Sequence, residues 1–418
     1  MISPLRTLPS SYPLQGKRVL VRVDFNVPLK KVGSRYRVVD DSRLRNALPT
    51  IVRLSRAGAR VVLITHIGEP GGRVVRALST APAAARLAEL LPAGIPRPQH
   101  AAHWEFLKLR QQVAKLRDGQ ILCLENVRFC QGEKTNDPVF SKKLAALADL
   151  YMNEAFSVSH RAHASVVGVC RYLPHFAGWQ LMHEVEALER VSRHARPPFV
   201  LVLGGAKVHD KTLIMINLAP RLTSVLLGGV IANTILHMTG HGIGSSRVDG
   251  EPPRVSLRRL LKQRRRVDDL THTMPLLQLP SDVVVARRLT APPHIVDFAA
   301  GEDVPADESI FDIGPHTAAH YARVLAQAET ILWNGPLGLI ERPSFAKGSR
   351  VMAEAIARQS RRGAFSAVGG GDSLAVLSSA GLAASIGFVS TGGGAMLEYL
   401  TGKTLPGLKP LLRKRWYP

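Results

Sequence analysis

The sequence predicts an α/β protein made of parallel sheets covered by helices on both faces, laid out in two successive halves. Short runs of Val, Ile and Leu alternate with longer helical patterns from end to end, which is the rhythm of strand–helix crossovers. A helical stretch at Glu184–His194 runs into the breaker Arg196-Pro197-Pro198, placing a domain boundary across residues 180–198. The residues that follow the strands also differ in kind, charged in the first half and glycine-rich in the second.

In the first half, strands are predicted at Arg18–Val23, Arg60–Ile64, Gln120–Leu124 and Asp149–Met152, with helices at Arg43–Ala57, Ala81–Leu91 and Ser141–Ala148. In the second half, strands are predicted at Phe199–Leu203, Ser224–Leu227, Asp282–Ala286, Thr330–Trp333, Ala364–Val368 and Gly387–Ser390. The division expected is 1–180, a linking segment 181–198, 199–395, and a last segment 396–418. No solenoid repeat or low-complexity tract is visible.

The 418 residues are 45% hydrophobic and 21% charged, enough for two cores and unlike a disordered chain. Cys123, Cys130 and Cys170 match neither a zinc site nor a disulfide ladder, which fits a reducing compartment. Without a signal peptide or an apolar run of about 18 residues, a soluble cytoplasmic protein with no membrane partner is expected. The formal net charge of +23 raises the local concentration of polyanions. Its densest run, SLRRLLKQRRR from Ser256 to Arg266, predicts a solvated helix face with Leu257, Leu260 and Leu261 together. No nucleic-acid recognition module accompanies it, so nucleic acid is not an expected partner.

Ligands of open parallel sheets collect outside the carboxyl ends of the strands. There the first half carries Asp24-Phe25-Asn26, His66-Ile67-Gly68-Glu69, Glu125-Asn126-Val127-Arg128, and Asn153-Glu154 with His160-Arg161-Ala162-His163. Arg43 opens the first helix. Arg43, Arg128 and Arg161 converging on one rim with His66 would bind a small multiply charged anion, because the guanidinium fork matches carboxylate and phosphate oxygens. Asp24 and Asn26 would hold hydroxyls. Taken singly, each arginine is more often a surface or salt-bridge residue, and a lone His66 is more often packed and hydrogen-bonded than catalytic. His160 and His163 lack a third metal ligand of suitable spacing.

The second half follows its strands with Gly204-Gly205-Ala206-Lys207 and Lys211, with Gly228-Gly229, with Gly369-Gly370-Gly371-Asp372-Ser373, and with Gly392-Gly393-Gly394. Glycine lets backbone approach a ligand, and helix N-termini offer unpaired N–H groups to phosphate. Neither a P-loop nor a dinucleotide fingerprint is present. Asp372 reads as an N-cap or as a magnesium ligand sharing the ion with nucleotide phosphates.

The segment GKRVLVRVDFNVPL (Gly16–Leu29) resembles the phosphoglycerate kinase family. The likeness continues through DDSRLRNALPTI (Asp40–Ile51), GARVVLITHIGEP (Gly58–Pro70), ENVRF (Glu125–Phe129) and NEAFSVSHRAHAS (Asn153–Ser165). It extends through LGGAKVHDK (Leu203–Lys211), LPSDVVVA (Leu279–Ala286), DIGPHT (Asp312–Thr317), WNGPLGLIE (Trp333–Glu341), FAKGS (Phe345–Ser349), AVGGGDS (Ala367–Ser373) and STGGGAMLEYLTGKTLPG (Ser390–Gly407). The resemblance implies two doubly wound parallel-sheet domains joined by a hinge helix, the C-terminal tail returning to the N-terminal domain, and a monomer. It implies reversible phosphoryl transfer between 1,3-bisphosphoglycerate and ADP, giving 3-phosphoglycerate and ATP, with Mg2+. The substrate residues it implies are Asp24, Phe25, Asn26, Arg43, His66, Ile67, Gly68, Glu69, Arg128 and Arg161. Lys211, Gly228, Gly229, Glu341, Gly370, Gly371, Asp372 and Ser373 would meet nucleotide, Asp372 the metal. Arg43, Lys207, Lys211, Gly371 and Gly393 would neutralise the transferring group on domain closure.

Glu154 for the usual aspartate and Ser373 for the common threonine keep the family's functional groups, but two other positions depart from its pattern. Glu69 stands where the family usually has arginine, pointing to solvent or compensated by a base such as Arg73. Phe388 replaces a common histidine whose polar contact, here with Glu184, phenylalanine does not make. These and the net charge motivate a rival expectation, a catalytically weakened paralogue that binds nucleotide or polyanions through its basic surface.

Overall fold

The computed structural model describes residues 5–249 and 276–412; the basic run at 256–266 lies outside them. Two compact units emerge. The first takes the described residues up to Glu186 together with those from Thr404 onward, and the second runs from Ala187 to Lys403.

Along the first unit lie β1 (Arg18–Arg22), a hairpin β2 (Leu29–Val32) and β3 (Arg35–Val38), α1 (Ser42–Arg56), β4 (Arg60–Ile64), α2 (Ala81–Leu90) and β5 (Gln99–Ala101). Then come α3 (Phe106–Ala114), β6 (Ile121–Leu124), α4 (Pro138–Ala145), β7 (Leu150–Asn153), β8 (His175–Ala177) and the first part of α5 (Trp179–Ser192), whose residues from Ala187 belong to the second unit. The six-stranded sheet has the order β5-β6-β4-β1-β7-β8, and its neighbouring strands pair parallel. Chain order reverses at β1, so crossovers cover both faces. The side chains show this directly. Val19, Val21, Val61 and Leu63 join one apolar cluster with Leu44, Ile51 and Leu54 of α1. Leu20, Val62 and Ile64 join another with Leu109 and Val113 of α3 and Leu144 of α4. Each such buried aliphatic side chain contributes about 1.5–3 kcal/mol, more than the roughly 1–2 kcal/mol needed to order its backbone.

Two helix starts differ from the sequence expectation, one set by a local cap and one by a side chain from another element. α4 begins at Pro138, early by three positions against Ser141, because Asp137 caps it, its Oδ1 accepting from Phe140 N–H at 2.7 Å. α5 begins at Trp179 rather than Glu184, where Glu154 Oε1 accepts from Gln180 N–H at 3.0 Å. Residues from Thr404 complete the first unit: Gly407 N–H donates to Ser159 O at 2.7 Å, His175 Nε2 lies 2.9 Å from Pro410 O, and Leu5 bridges Leu412.

The second unit contains β9 (Phe199–Leu203), α6 (Val208–Leu218), β10 (Ser224–Leu227), α7 (Gly229–Met238), β11 (Leu276–Gln278), β12 (Asp282–Ala286), β13 (His294–Asp297) and β14 (Ser309–Ile313). It continues with α8 (Pro315–Leu325), β15 (Thr330–Asn334), α9 (Lys347–Arg361), β16 (Phe365–Gly369), α10 (Gly371–Ser379), β17 (Phe388–Ser390) and α11 (Gly394–Leu400). Its parallel sheet runs β11-β10-β9-β15-β16-β17, with Val200, Val202, Ile331 and Trp333 packed against Tyr321 and Leu325 of α8 and Met352 and Ile356 of α9.

One strand corrects the sequence reading. Asp282–Ala286 forms as expected but lies outside the parallel sheet, between β13 and β14 in an antiparallel three-stranded sheet. An apolar run carries no information on the direction of its neighbours. Its first residue instead anchors a helix, Asp282 accepting from the N–H groups of His316 and Thr317 at 3.0 and 2.7 Å at the start of α8.

Candidate active site

In the first unit the strand ends converge on a cationic basin. Arg22, the last residue of β1, is fully buried. Its Nε donates to Ser165 Oγ at 2.9 Å, and Ser165 donates through Oγ at 2.6 Å and N–H at 2.9 Å to Glu133. Glu133 is likewise fully buried, and burial raises its carboxyl above the ordinary range despite Arg22. A buried cation and a buried anion thus share one serine. Arg22 Nη2 lies 3.1 Å from His66 Nδ1. His66 sits well below the usual imidazole range, first through burial, then through the charges of Arg22, Arg128 and Arg43. His163 is pushed down to about 4 by burial and by Arg128, Arg22, Arg161 and Lys134. Both imidazoles are therefore neutral in a field of four arginines and a lysine.

The rim is held from below by side-chain amides. Gly68 N–H donates to Asn26 Oδ1 at 2.9 Å, and Asn126 Nδ2 donates to Ile67 O at 2.7 Å. Gly68 has φ +61°, and a Cβ there would meet Leu78 Cδ2 at 2.8 Å, so the loop requires glycine at this point. Arg43, near the start of α1, pairs with Asp24, whose carboxylate also accepts from Ser157 Oγ. Phe25 and Ile67 put their side chains into the core, 1% and 3% exposed.

Arg128 is 4% exposed. Its Nη1 donates to Gly68 O at 2.9 Å and to Glu69 Oε1 at 2.7 Å, while its Nε finds no partner among the described residues. Burial pulls its guanidinium down to about 10, still charged at neutral pH. Lys134 Nζ lies 3.2 Å from Glu69 Oε2 and Arg161 Nη1 3.8 Å from Oε1. Glu69 is therefore compensated by Arg128, Lys134 and Arg161 rather than by Arg73.

In the second unit the glycine turns interlock. A Cβ on Gly204 would meet Pro336 O at 1.9 Å, one on Gly228 would meet Leu337 Cβ at 2.7 Å, and one on Gly229, at φ +58°, would meet Gly205 N at 2.7 Å. The ends of β9, β10 and β15 thus touch backbone to backbone. Asn334 Nδ2 donates to Gly369 O at 3.0 Å and Gly335 N–H to Ser373 Oγ at 2.8 Å, tying in the end of β16. Ser373 is fully buried, so its hydroxyl serves this tie.

Lys211, in the first turn of α6, is 4% exposed and donates to Gly204 O. Burial brings its ammonium down to about 8, with Asp372 acting the other way. Lys207, Glu341, Gly371 and Asp372 are exposed. Gly370, at φ +95°, precedes α10, whose opening Gly371 has no atom within 4 Å of a built Cβ. Gly393, at φ +51°, is open in the same way before α11. Phe388 is buried.

Among these, sequence reasoning missed Arg22, Glu133, Lys134, Ser157 and Asn334. A charge inside the apolar run RVLVRV is the signal for Arg22, since a buried guanidinium must have partners.

Parallel α/β units with a cationic basin at the strand ends of one and glycine turns around a buried lysine in the other have the chemistry of a protein that handles phosphorylated small molecules. The family model described as phosphoglycerate kinase matches residues 10–403. A phosphoglycerate kinase of Thermomicrobium roseum is 45% identical over 404 residues, covering 96% of this chain and 98% of the relative. That of Moorella thermoacetica is 43% identical over 402 residues, with coverage of 96% and 98%. The solved phosphoglycerate kinase of Coxiella burnetii superposes with a TM-score of 0.83 at 37% identity, over 98% of this chain and 99% of that one. The chain belongs to the phosphoglycerate kinase family.

Proposed function

We propose that this protein catalyses reversible phosphoryl transfer between 1,3-bisphosphoglycerate and ADP, with the first unit holding 3-phosphoglycerate and the second the nucleotide. The observation that carries the reading is the pair of strand-end sites within one chain. One gathers Arg22, Arg128 and Arg43 around a neutral His66, with Arg161 beside the neighbouring His163; the other seats Lys211 among interlocked glycine turns.

Arg128 and Arg161 supply forked donors for a phosphorylated acid, and Asp24 and Asn26 border the same basin. Gly228 and Gly229 line the base, Glu341 meets the ribose, and the N–H groups of Gly371, Asp372 and Ser373 at the start of α10 face phosphate. Gly370 lets the chain turn into that helix. Among the described residues no three His, Cys, Asp or Glu side chains gather as a metal site. Asp372 therefore fits Mg2+ only as one carboxylate beside nucleotide oxygens, the habit of this ion. When bound, the ion would neutralise phosphate charge.

Phosphoryl transfer asks the protein for alignment and charge neutralisation more than for covalent chemistry. Arg43 and Lys211 supply most of the latter, with Lys207 and the turns at Gly371 and Gly393 assisting. In-line transfer requires the two bound ligands to be brought together, the closure implied by the resemblance. The test is a coupled assay of the purified protein at millimolar 3-phosphoglycerate and MgATP. Turnover is expected. Its absence, with nucleotide still bound, would replace this reading with that of a binding paralogue.

A further inference from the structure

Resting on that reading, we propose that Glu69 is an internal anion that occupies the cations meant for the phosphorylated acid, and that substrate must displace it. Its carboxylate meets Arg128 at 2.7 Å, Lys134 at 3.2 Å and Arg161 at 3.8 Å. Two of these are the arginines assigned above to substrate. The side chain is 51% exposed, so it leaves for water with little loss of packing. The loop beneath it stays fixed, because Gly68 N–H is held by Asn26. Arg128 does not depend on Glu69 for its position, being buried and bonded to Gly68 O by the same Nη1. Its Nε, buried and without a partner among the described residues, remains a donor that Glu69 does not satisfy. A ligand carrying several anionic oxygens satisfies more of these donors than one carboxylate can. Glu69 therefore lowers affinity for every anion at this site, and anions of low charge suffer most because they return least.

The test compares the full-length native protein with Glu69→Gln and Glu69→Ala by isothermal titration calorimetry against 3-phosphoglycerate, inorganic phosphate and MgADP. Both variants are expected to bind 3-phosphoglycerate at least about threefold more tightly, the scale of one half-exposed carboxylate among three cations. Phosphate binding should tighten too, while MgADP affinity stays level. Unchanged or weaker 3-phosphoglycerate binding in both variants, with native melting temperature, overturns the inference and leaves the function standing. Absence of 3-phosphoglycerate binding in native and variant proteins alike would overturn the functional reading and this inference with it.

Discussion

Arg22 Nη2 lies 3.1 Å from His66 Nδ1, both side chains buried. Guanidinium has only donors, so Nδ1 must accept, and the proton of the neutral ring sits on Nε2. His66 should show one Nε2–H tautomer and no titration between about pH 5 and 8, the window in which an ordinary histidine changes charge. Nitrogen-15 spectra of the imidazoles check this; a midpoint near 6.5 would contradict the geometry.

Removing Arg22 leaves Glu133 buried without its nearby countercharge. Arg22→Ala should destabilise the first unit by about 3–5 kcal/mol, the cost of breaking a buried ionic network from one side. Denaturant unfolding measures it, and a loss below about 1 kcal/mol would show the network to be dispensable.

Arg43 is tied to Asp24 and partly open to solvent. Arg43→Ala should lower turnover at least about 100-fold, the scale of losing a donor to transition-state charge. Melting temperature should move little, since the pair is 31% and 12% exposed. Turnover near the native value would remove Arg43 from the chemistry.

Lys211 is held down to about 8 by burial, and a phosphate bound beside it would favour the ammonium form. Nucleotide binding should therefore take up a proton above pH 8, and affinity should fall as pH rises from 8 toward 10. Calorimetry in buffers of different ionisation enthalpy reads the uptake directly. Lys211→Met should abolish it.

Glu154 is pushed up to about 8 and Asp312 to about 7, in both cases by burial. The native state therefore binds more protons than the unfolded chain between the ordinary carboxyl range and these values. Stability must fall as pH rises through that window and level off above it. Glu154→Gln should keep the bond to Gln180 N–H and flatten the decline between pH 5 and 8. Melting temperatures across that range decide it.

Ten strands were legible because apolar runs in a doubly covered sheet leave a strong trace, and their ends fall within a residue of the reading; the short β2, β3, β5, β8, β11, β13 and β14, and the order of strands in each sheet, were not read. Asp282–Ala286 shows the limit, as nothing in DVVVA distinguishes a parallel from an antiparallel neighbour. The grouping of the candidate residues was legible where they share a strand end, as with Asp24 and Asn26 or Gly370 and Asp372. It was not legible where the contact joins distant segments. Ser157 reaches Asp24 across 133 positions, Lys134 reaches Glu69 across 65, and neither pairing has a local signal. Ser373 suited phosphate in sequence and turned inward in the fold, because Gly335 offers its hydroxyl an N–H.

The residues from Thr404 that close the first unit are translated after all of the second. On the ribosome, then, the portion made first waits longest for its final piece, and the later portion can mature ahead of it. During that interval Ser159 O lacks its partner Gly407, His175 lacks Pro410 O and Leu5 lacks Leu412. Synthesis of the residues from Thr404 onward, rather than emergence of the first half, is what completes the first unit.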